Sequence, residues 1–225
     1  MANATTHAPG AQPLIVLGID PGTRIVGYGA VVVHPSGPKL LTAGVIRVGA
    51  KDGVPERLAA IHGRLTTLMA EMRPQVVVVE RAFAAKNIQS ALRIGEGRGL
   101  ALACAAACGA AVVEMAPRAA KKRVVGSGSA EKEQVAHMVR RTLGREDLDL
   151  PLDATDALAL ALAHVLRPTV IVPPSGTKSR SAKVRGSAGL PAHVLDSARR
   201  FWDGRSPVES VATPKPRKGD AHGRS

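Results

Sequence analysis

The sequence predicts an α/β fold: a mixed five-stranded sheet flanked by helices on both faces. Three observations predict it. Three strand-like apolar runs come first, separated by short turns, which is the spacing of a meander. Strand-like and helix-like segments then alternate, which within one domain implies a mixed sheet. Two of the runs, residues 14–19 and 76–79, are apolar without alternation, as strands covered on both faces are.

Each element has its own signal. The first strand, residues 14–19, ends at Asp20, and Pro21-Gly22-Thr23 turns the chain into a second strand over residues 25–33. Pro35-Ser36-Gly37-Pro38 reads as the next turn, followed by a third strand over about residues 40–48. Leu58, Ile61, Leu65, Leu68 and Met69 recur at helical spacing, and Pro74 stops that helix. The four valines 76–79 form a central strand that runs into Glu80. Residues 90–108 are a long Ala/Leu helix broken by Gly109, and residues 111–115 are a fifth strand. Lys121-Lys122-Arg123 begins a basic segment, and Gly126-Ser127-Gly128 is a loop. Ser129 is placed to cap a helix over about residues 130–143. Pro151-Leu152-Asp153 opens the last helix, residues 154–166, giving the order β-β-β-α-β-α-β-α-α.

The length of 225 residues suits one domain with tails. Residues 1–12 read as a flexible arm, residues 13–167 as the domain, and residues 168–225 as a basic, mostly disordered tail in which 192–202 is a possible short helix. Aromatics are 2% of the chain, namely Tyr28, Phe83, Phe201 and Trp202, so the core is built from Ala, Val, Leu and Ile. Cys104 and Cys108 lie four apart in an Ala-rich run and read as small packing residues on one helix face. No signal peptide and no membrane span is expected, which places the protein in the cytoplasm, at the nucleoid.

The net charge of +13 calls for a polyanionic partner, nucleic acid before membrane. It divides unevenly: residues 167–225 hold 12 basic and 4 acidic residues, and residues 1–166 hold 19 and 14.

Four carboxylates stand where an apolar pattern leaves little room for charge. Asp20 and Glu80 end buried strands, at the sheet edge where open α/β folds bind ligands. Asp153 and Asp156 share a face at the start of an otherwise apolar helix. Each has an ordinary explanation: a turn-starting Asp, an ion pair with Arg81 for Glu80, and the helix dipole for the pair. Brought together, however, four such charges repel unless divalent cations sit between them. Hard oxygen ligands suit Mg²⁺ or Mn²⁺, and two such ions could serve in-line phosphoryl displacement. In a basic protein that reads as a nuclease.

The runs Gly18-Ile19-Asp20-Pro21-Gly22-Thr23 and Val79-Glu80-Arg81-Ala82-Phe83-Ala84-Ala85-Lys86-Asn87 resemble the RuvC family. These are bacterial Holliday-junction resolvases of the ribonuclease H-like superfamily. Ser90-Ala91-Leu92, Gly97-Arg98-Gly99, the stretch 124–132 and Asp153-Ala154-Thr155-Asp156-Ala157-Leu158-Ala159 extend the likeness over residues 14–166. The resemblance implies a ribonuclease H-like fold, with Asp20, Glu80, Asp153 and Asp156 as ligands of two Mg²⁺ and Mn²⁺ as substitute. It makes Lys121 and Lys132 the active-site lysines, whose ordinary reading is phosphate contact. Phe83 matches the aromatic that stacks on a base at the junction centre. Lys86, Asn87, Arg98, Arg118, Lys122 and Arg123 are the further expected DNA contacts. A homodimer would nick opposed strands symmetrically, leaving 5′-phosphate and 3′-hydroxyl ends, in recombination and repair alongside a RuvA–RuvB branch-migration complex. The helix over residues 90–108 is a candidate dimer face or an ordinary core helix. The chain departs from the family at Ala84, where a second bulky residue is common, and at Met115, where a Tyr is common.

Three rivals make different predictions. Asp20-Pro21-Gly22-Thr23 also resembles the phosphate loop of actin/sugar-kinase phosphotransferases, but a core of about 150 residues has no room for their second lobe. A DNA-binding protein without activity needs only Lys and Arg and gives no reason for strand-end carboxylates. Another ribonuclease H-like nuclease would differ in substrate alone.

Overall fold

A computed structural model describes residues 13–49, 51–81 and 88–166. The expected arm (1–12), the tail (168–225) with its helix at 192–202, and Phe83, Lys86 and Asn87 lie outside the described residues. The chain runs through β1 (Leu14–Asp20), β2 (Ile25–His34), β3 (Gly37–Arg47), α1 (Val54–Met72), β4 (Val76–Glu80), α2 (Ile88–Ala107), β5 (Ala111–Met115), α3 (Pro117–Val125), α4 (Lys132–Leu143) and α5 (Leu152–Val165). The strands form one sheet in the order β3-β2-β1-β4-β5. The meander β1-β2-β3 pairs antiparallel, while β4 and β5 join β1 in parallel. The mixed five-stranded sheet is therefore as the sequence implies.

Strand parity sorts the side chains into two cores. Ile15, Leu17 and Ile19 of β1, Val26 and Tyr28 of β2, and Val77 and Val79 of β4 pack with Ile61, Leu65 and Met69 of α1 and Ala101 and Cys104 of α2. The alternate residues, Val16, Val31 and Val78, pack on the other face with α3, α4 and α5. Because the side-chain period of a strand is two, a one-residue slip would exchange the faces entirely. Helix α5 is buried along nearly its whole length, with ten of its fourteen residues buried and eight of those apolar. Its apolar run could not be stable at a surface.

Three expectations need correction. The second hairpin turn is only Pro35-Ser36, and β3 starts at Gly37 rather than at residue 40. Gly37 adopts φ 109°, a left-handed backbone that permits this tight reversal, and Pro38 is tolerated because β3 is an edge strand. The basic segment around residues 121–123 is a helix, α3, started by Pro117 in its first turn and ended by left-handed Gly126. Its buried face is only Ala120 and Val124, so the charges masked its period. Helix α4 is capped by Glu131, not Ser129. The Glu131 carboxylate accepts from the backbone N–H of Gln134, whose side-chain oxygen accepts from the Glu131 N–H. As for the thiols, Cys104 is buried in the core as expected, while Cys108 lies just past α2 and is exposed.

Candidate active site

Asp20 and Glu80 are brought together by register. Ile19 pairs with Val79 in the parallel β1/β4 ladder, so the residues that follow them end their strands side by side. Asp20 has the parity of Val16 and Gly18, and Glu80 that of Val78. Both carboxylates therefore belong to the α5 face of the sheet. On that face α5 begins at Leu152, which brings Asp153 and Asp156 to the same end.

A cavity of about 310 Å³ opens there, with Asp20, Glu80, Lys121, Lys132 and Asp156 in its wall. Pro117 and Ala120 of α3, Val135 of α4, and Ala159 and Leu160 of α5 complete the lining. Asp153 stands one helical turn before Asp156 and is not part of that wall, although its charge still bears on Asp20. Sequence reasoning missed the apolar part of the lining. The Pro117 start and the Ala120/Val124 spacing were the available signals.

Electrostatics follow from this crowding. Burial pushes the Asp20 carboxyl from 3.8 up to about 7, and Glu80, Asp156 and Asp153 push the same way, against Lys132. Burial also raises Glu80, helped by Asp156 and opposed by Lys132 and Lys121. Lys132 and Lys121 are thus the cations that act on Glu80 from across the cavity. Lys132 pairs with Asp156 at 3.4 Å, and Lys121 donates to the carbonyl of Ala130 at 2.7 Å. That second bond ties the lysine to the loop before α4.

The donor set can be tested against a divalent ion. Among the described residues, no three His, Cys, Asp or Glu side chains form a ready metal-holding group. Asp20, Glu80 and Asp156 instead line an open cavity with room for several waters, and burial together with the neighbouring carboxylates raises Asp20 and Glu80. All are hard oxygen donors. This fits a cation that keeps several of its own waters, as Mg²⁺ does, and not an enclosed Zn²⁺ site.

The remaining expected DNA contacts are spread out. Arg118 and Lys122 are exposed one turn apart on α3. Arg98 forms an ion pair with Glu114, and Arg123 reaches the carbonyl of Ala163 at 3.5 Å. Met115, at the departure from the family pattern, is buried and packs in the α5-side core.

A β3-β2-β1-β4-β5 sheet covered by helices on both faces, with acidic residues ending its two central strands, defines a ribonuclease H-like α/β protein. The family model for crossover junction endodeoxyribonuclease RuvC matches residues 16–164. The chain belongs to the RuvC family of crossover junction endodeoxyribonucleases. It is 43% identical over 168 residues to the relative of that name from Chromohalobacter salexigens, covering 74% of this chain and 89% of the relative. With the one from Marinobacter nauticus it shares 43% over 173 residues, covering 76% and 98%. The Thermus thermophilus RuvC structure superimposes with a TM-score of 0.63 at 34% identity, covering 68% of this chain and 94% of that one. The same protein in complex with a Holliday junction substrate gives a TM-score of 0.62 at 33% identity, covering 68% and 93%.

Proposed function

We propose that this chain resolves four-way DNA junctions by divalent-metal-dependent cleavage of the phosphodiester backbone at the Asp20/Glu80 end of the sheet. The observation that carries this reading is the cavity itself, where Asp20, Glu80 and Asp156 share one wall with Lys121 and Lys132. The Thermus RuvC, which has the same fold at 33% identity, has been captured with a Holliday junction substrate, and this supports the substrate class.

Asp20, Glu80, Asp153 and Asp156 are the residues that would hold two Mg²⁺, with Mn²⁺ as an effective substitute. When bound, such ions supply an activated water and stabilise the leaving 3′-oxygen. The protein supplies the rest. Lys121, fixed by the Ala130 carbonyl, presents a positioned ammonium to charge that develops on the phosphate. Lys132 stands in the first turn of α4, set by the Glu131/Gln134 box, and its pairing with Asp156 keeps it at the cavity. Arg118 and Lys122 hold flanking phosphates, joined by Arg98, Arg123, Lys86 and Asn87 along the strands. Phe83 stacks on an unpaired base at the junction centre, a contact worth about 1–3 kcal/mol in comparable proteins.

A two-fold junction calls for a two-fold enzyme, so the active form is a homodimer that nicks opposed strands and leaves 5′-phosphate and 3′-hydroxyl ends. Sedimentation equilibrium should then give twice the 23.3 kDa chain mass. The reading places the enzyme in the cytoplasm, handing over from a RuvA–RuvB motor. Among the described residues, no helix is long and apolar enough to cross a membrane.

The test uses a synthetic four-way junction and a linear duplex of the same sequence, each with and without Mg²⁺. Paired symmetric nicks in the junction alone, and only with Mg²⁺, are expected. Equal cutting of the linear duplex would remove the junction from the proposal.

A further inference from the structure

The depth at which α5 sits on the sheet is set by glycines on the α5 face. Gly18 of β1 and Gly29 of β2 are directly opposite one another in the antiparallel ladder, and Gly27 lies two residues before Gly29 on the same face. A methyl group on Gly18 would overlap the carbonyl of Ala157, and one on Gly29 would stand 2.5 Å from Cγ of Leu158. Gly27 is different in what it touches. A methyl there would overlap the carbonyl of Asp153 and stand 3.1 Å from the Asp153 Cβ. The helix backbone rests directly on the strand backbone at the residue that starts the acidic pair. Gly27 does not have a left-handed φ, so its missing side chain serves this approach and not a turn.

We propose that Gly27 is a positioning residue for the acidic site. Its bare backbone lets the first turn of α5 settle onto β2, and this contact fixes the height of Asp153 and Asp156 beside Asp20 and Glu80. The obstruction is a main-chain carbonyl, which cannot rotate away as a side chain would, so relief requires lifting the helix end. Asp153 and Asp156, one turn apart, move together when that turn lifts. Asp20 and Glu80 stay with their strands. The inference rests on the reading of these four carboxylates as the metal-binding set.

The experiment compares Mn²⁺ binding, by calorimetry without DNA, for the unchanged chain and for Gly27→Ala, Leu65→Ala and Asp156→Asn. Leu65 is fully buried in the α1-side core, away from α5, and its variant controls for lost stability alone. Gly27→Ala is expected to bind Mn²⁺ at least tenfold more weakly and to lose most of the rise in Tm that Mn²⁺ gives the parent. Leu65→Ala should melt earlier yet bind within twofold of the parent. Parent-like Mn²⁺ affinity in Gly27→Ala, with weak binding in Asp156→Asn, would overturn the positioning role while leaving the site in place. Parent-like affinity in Asp156→Asn would overturn the reading of the site and the inference with it. Amide resonances of the unchanged chain serve if Gly27→Ala does not fold. Mg²⁺ should shift the Gly27 amide together with that of Asp153, and a Gly27 amide indifferent to Mg²⁺ contradicts the proposal.

Discussion

Asp20 combines burial with three acidic neighbours, and this gives the metal-free protein a definite pH dependence. Its folded-state carboxyl holds a proton up to about pH 7, whereas the unfolded chain releases it near 3.8. The native state therefore binds more protons across that window, and stability falls as the pH rises through it. The contribution is fully present below the unfolded value and is lost once the pH passes the folded one, at up to about 1.4 kcal/mol per pH unit between. Thermal unfolding in a chelator should show this slope, and Asp20→Asn should flatten it and raise Tm at neutral pH. An unchanged slope in that variant would assign the effect to another group. The sequence already marked Asp20 and Glu80, because a carboxylate at the end of a buried strand needs a cation or a proton. What it did not reveal is that both face α5, since this depends on a register that only the folded sheet defines.

At the scale of elements, the start of α4 positions Lys132. Helix α4 begins at Lys132 because Glu131 and Gln134 satisfy each other's backbone N–H groups. Glu131→Ala should cost about 1 kcal/mol in urea unfolding, the usual effect of losing a cap. A loss near zero would mean that packing of Val135 and Val139 alone sets this boundary. The long elements were legible because their periods are strong, as Ile61, Leu65 and Met69 show for α1. Helix α3 was not, because it is nine residues long with two buried positions, too short for a period to stand out from a run of charge. The true cap of α4 was obscured for a related reason. Ser129 is the better cap by residue type, yet the reciprocal box two residues later satisfies two backbone donors.

The whole molecule divides its charge between two tasks. Residues 1–166 carry 19 basic and 14 acidic residues, and four of the acids are the proposed site. Two bound Mg²⁺ would add four positive charges to that part, so metal binding and attraction to DNA should be coupled. Residues 167–225 carry 12 basic and 4 acidic residues, a composition suited to phosphate contact. Removing residues 168–225 should weaken junction binding and flatten its salt dependence while low-salt cleavage survives. Loss of all cleavage at low salt would place the tail within the active enzyme. Composition alone announced the nucleic-acid partner. It could not announce the proposed reaction, for which carboxylates from β1, β4 and α5 meet at one end of the sheet.

If strands are cut at that meeting point, removing either strand-end carboxylate should abolish cleavage without abolishing junction binding. Single-turnover cleavage of a four-way junction in Mg²⁺ should be read beside junction binding for the unchanged chain, Asp20→Asn and Glu80→Gln. Both variants are expected to bind the junction in a chelator at least as well as the parent, having lost a negative charge, and to leave it uncut in Mg²⁺. Cleavage by either variant at a rate near that of the parent would contradict the account.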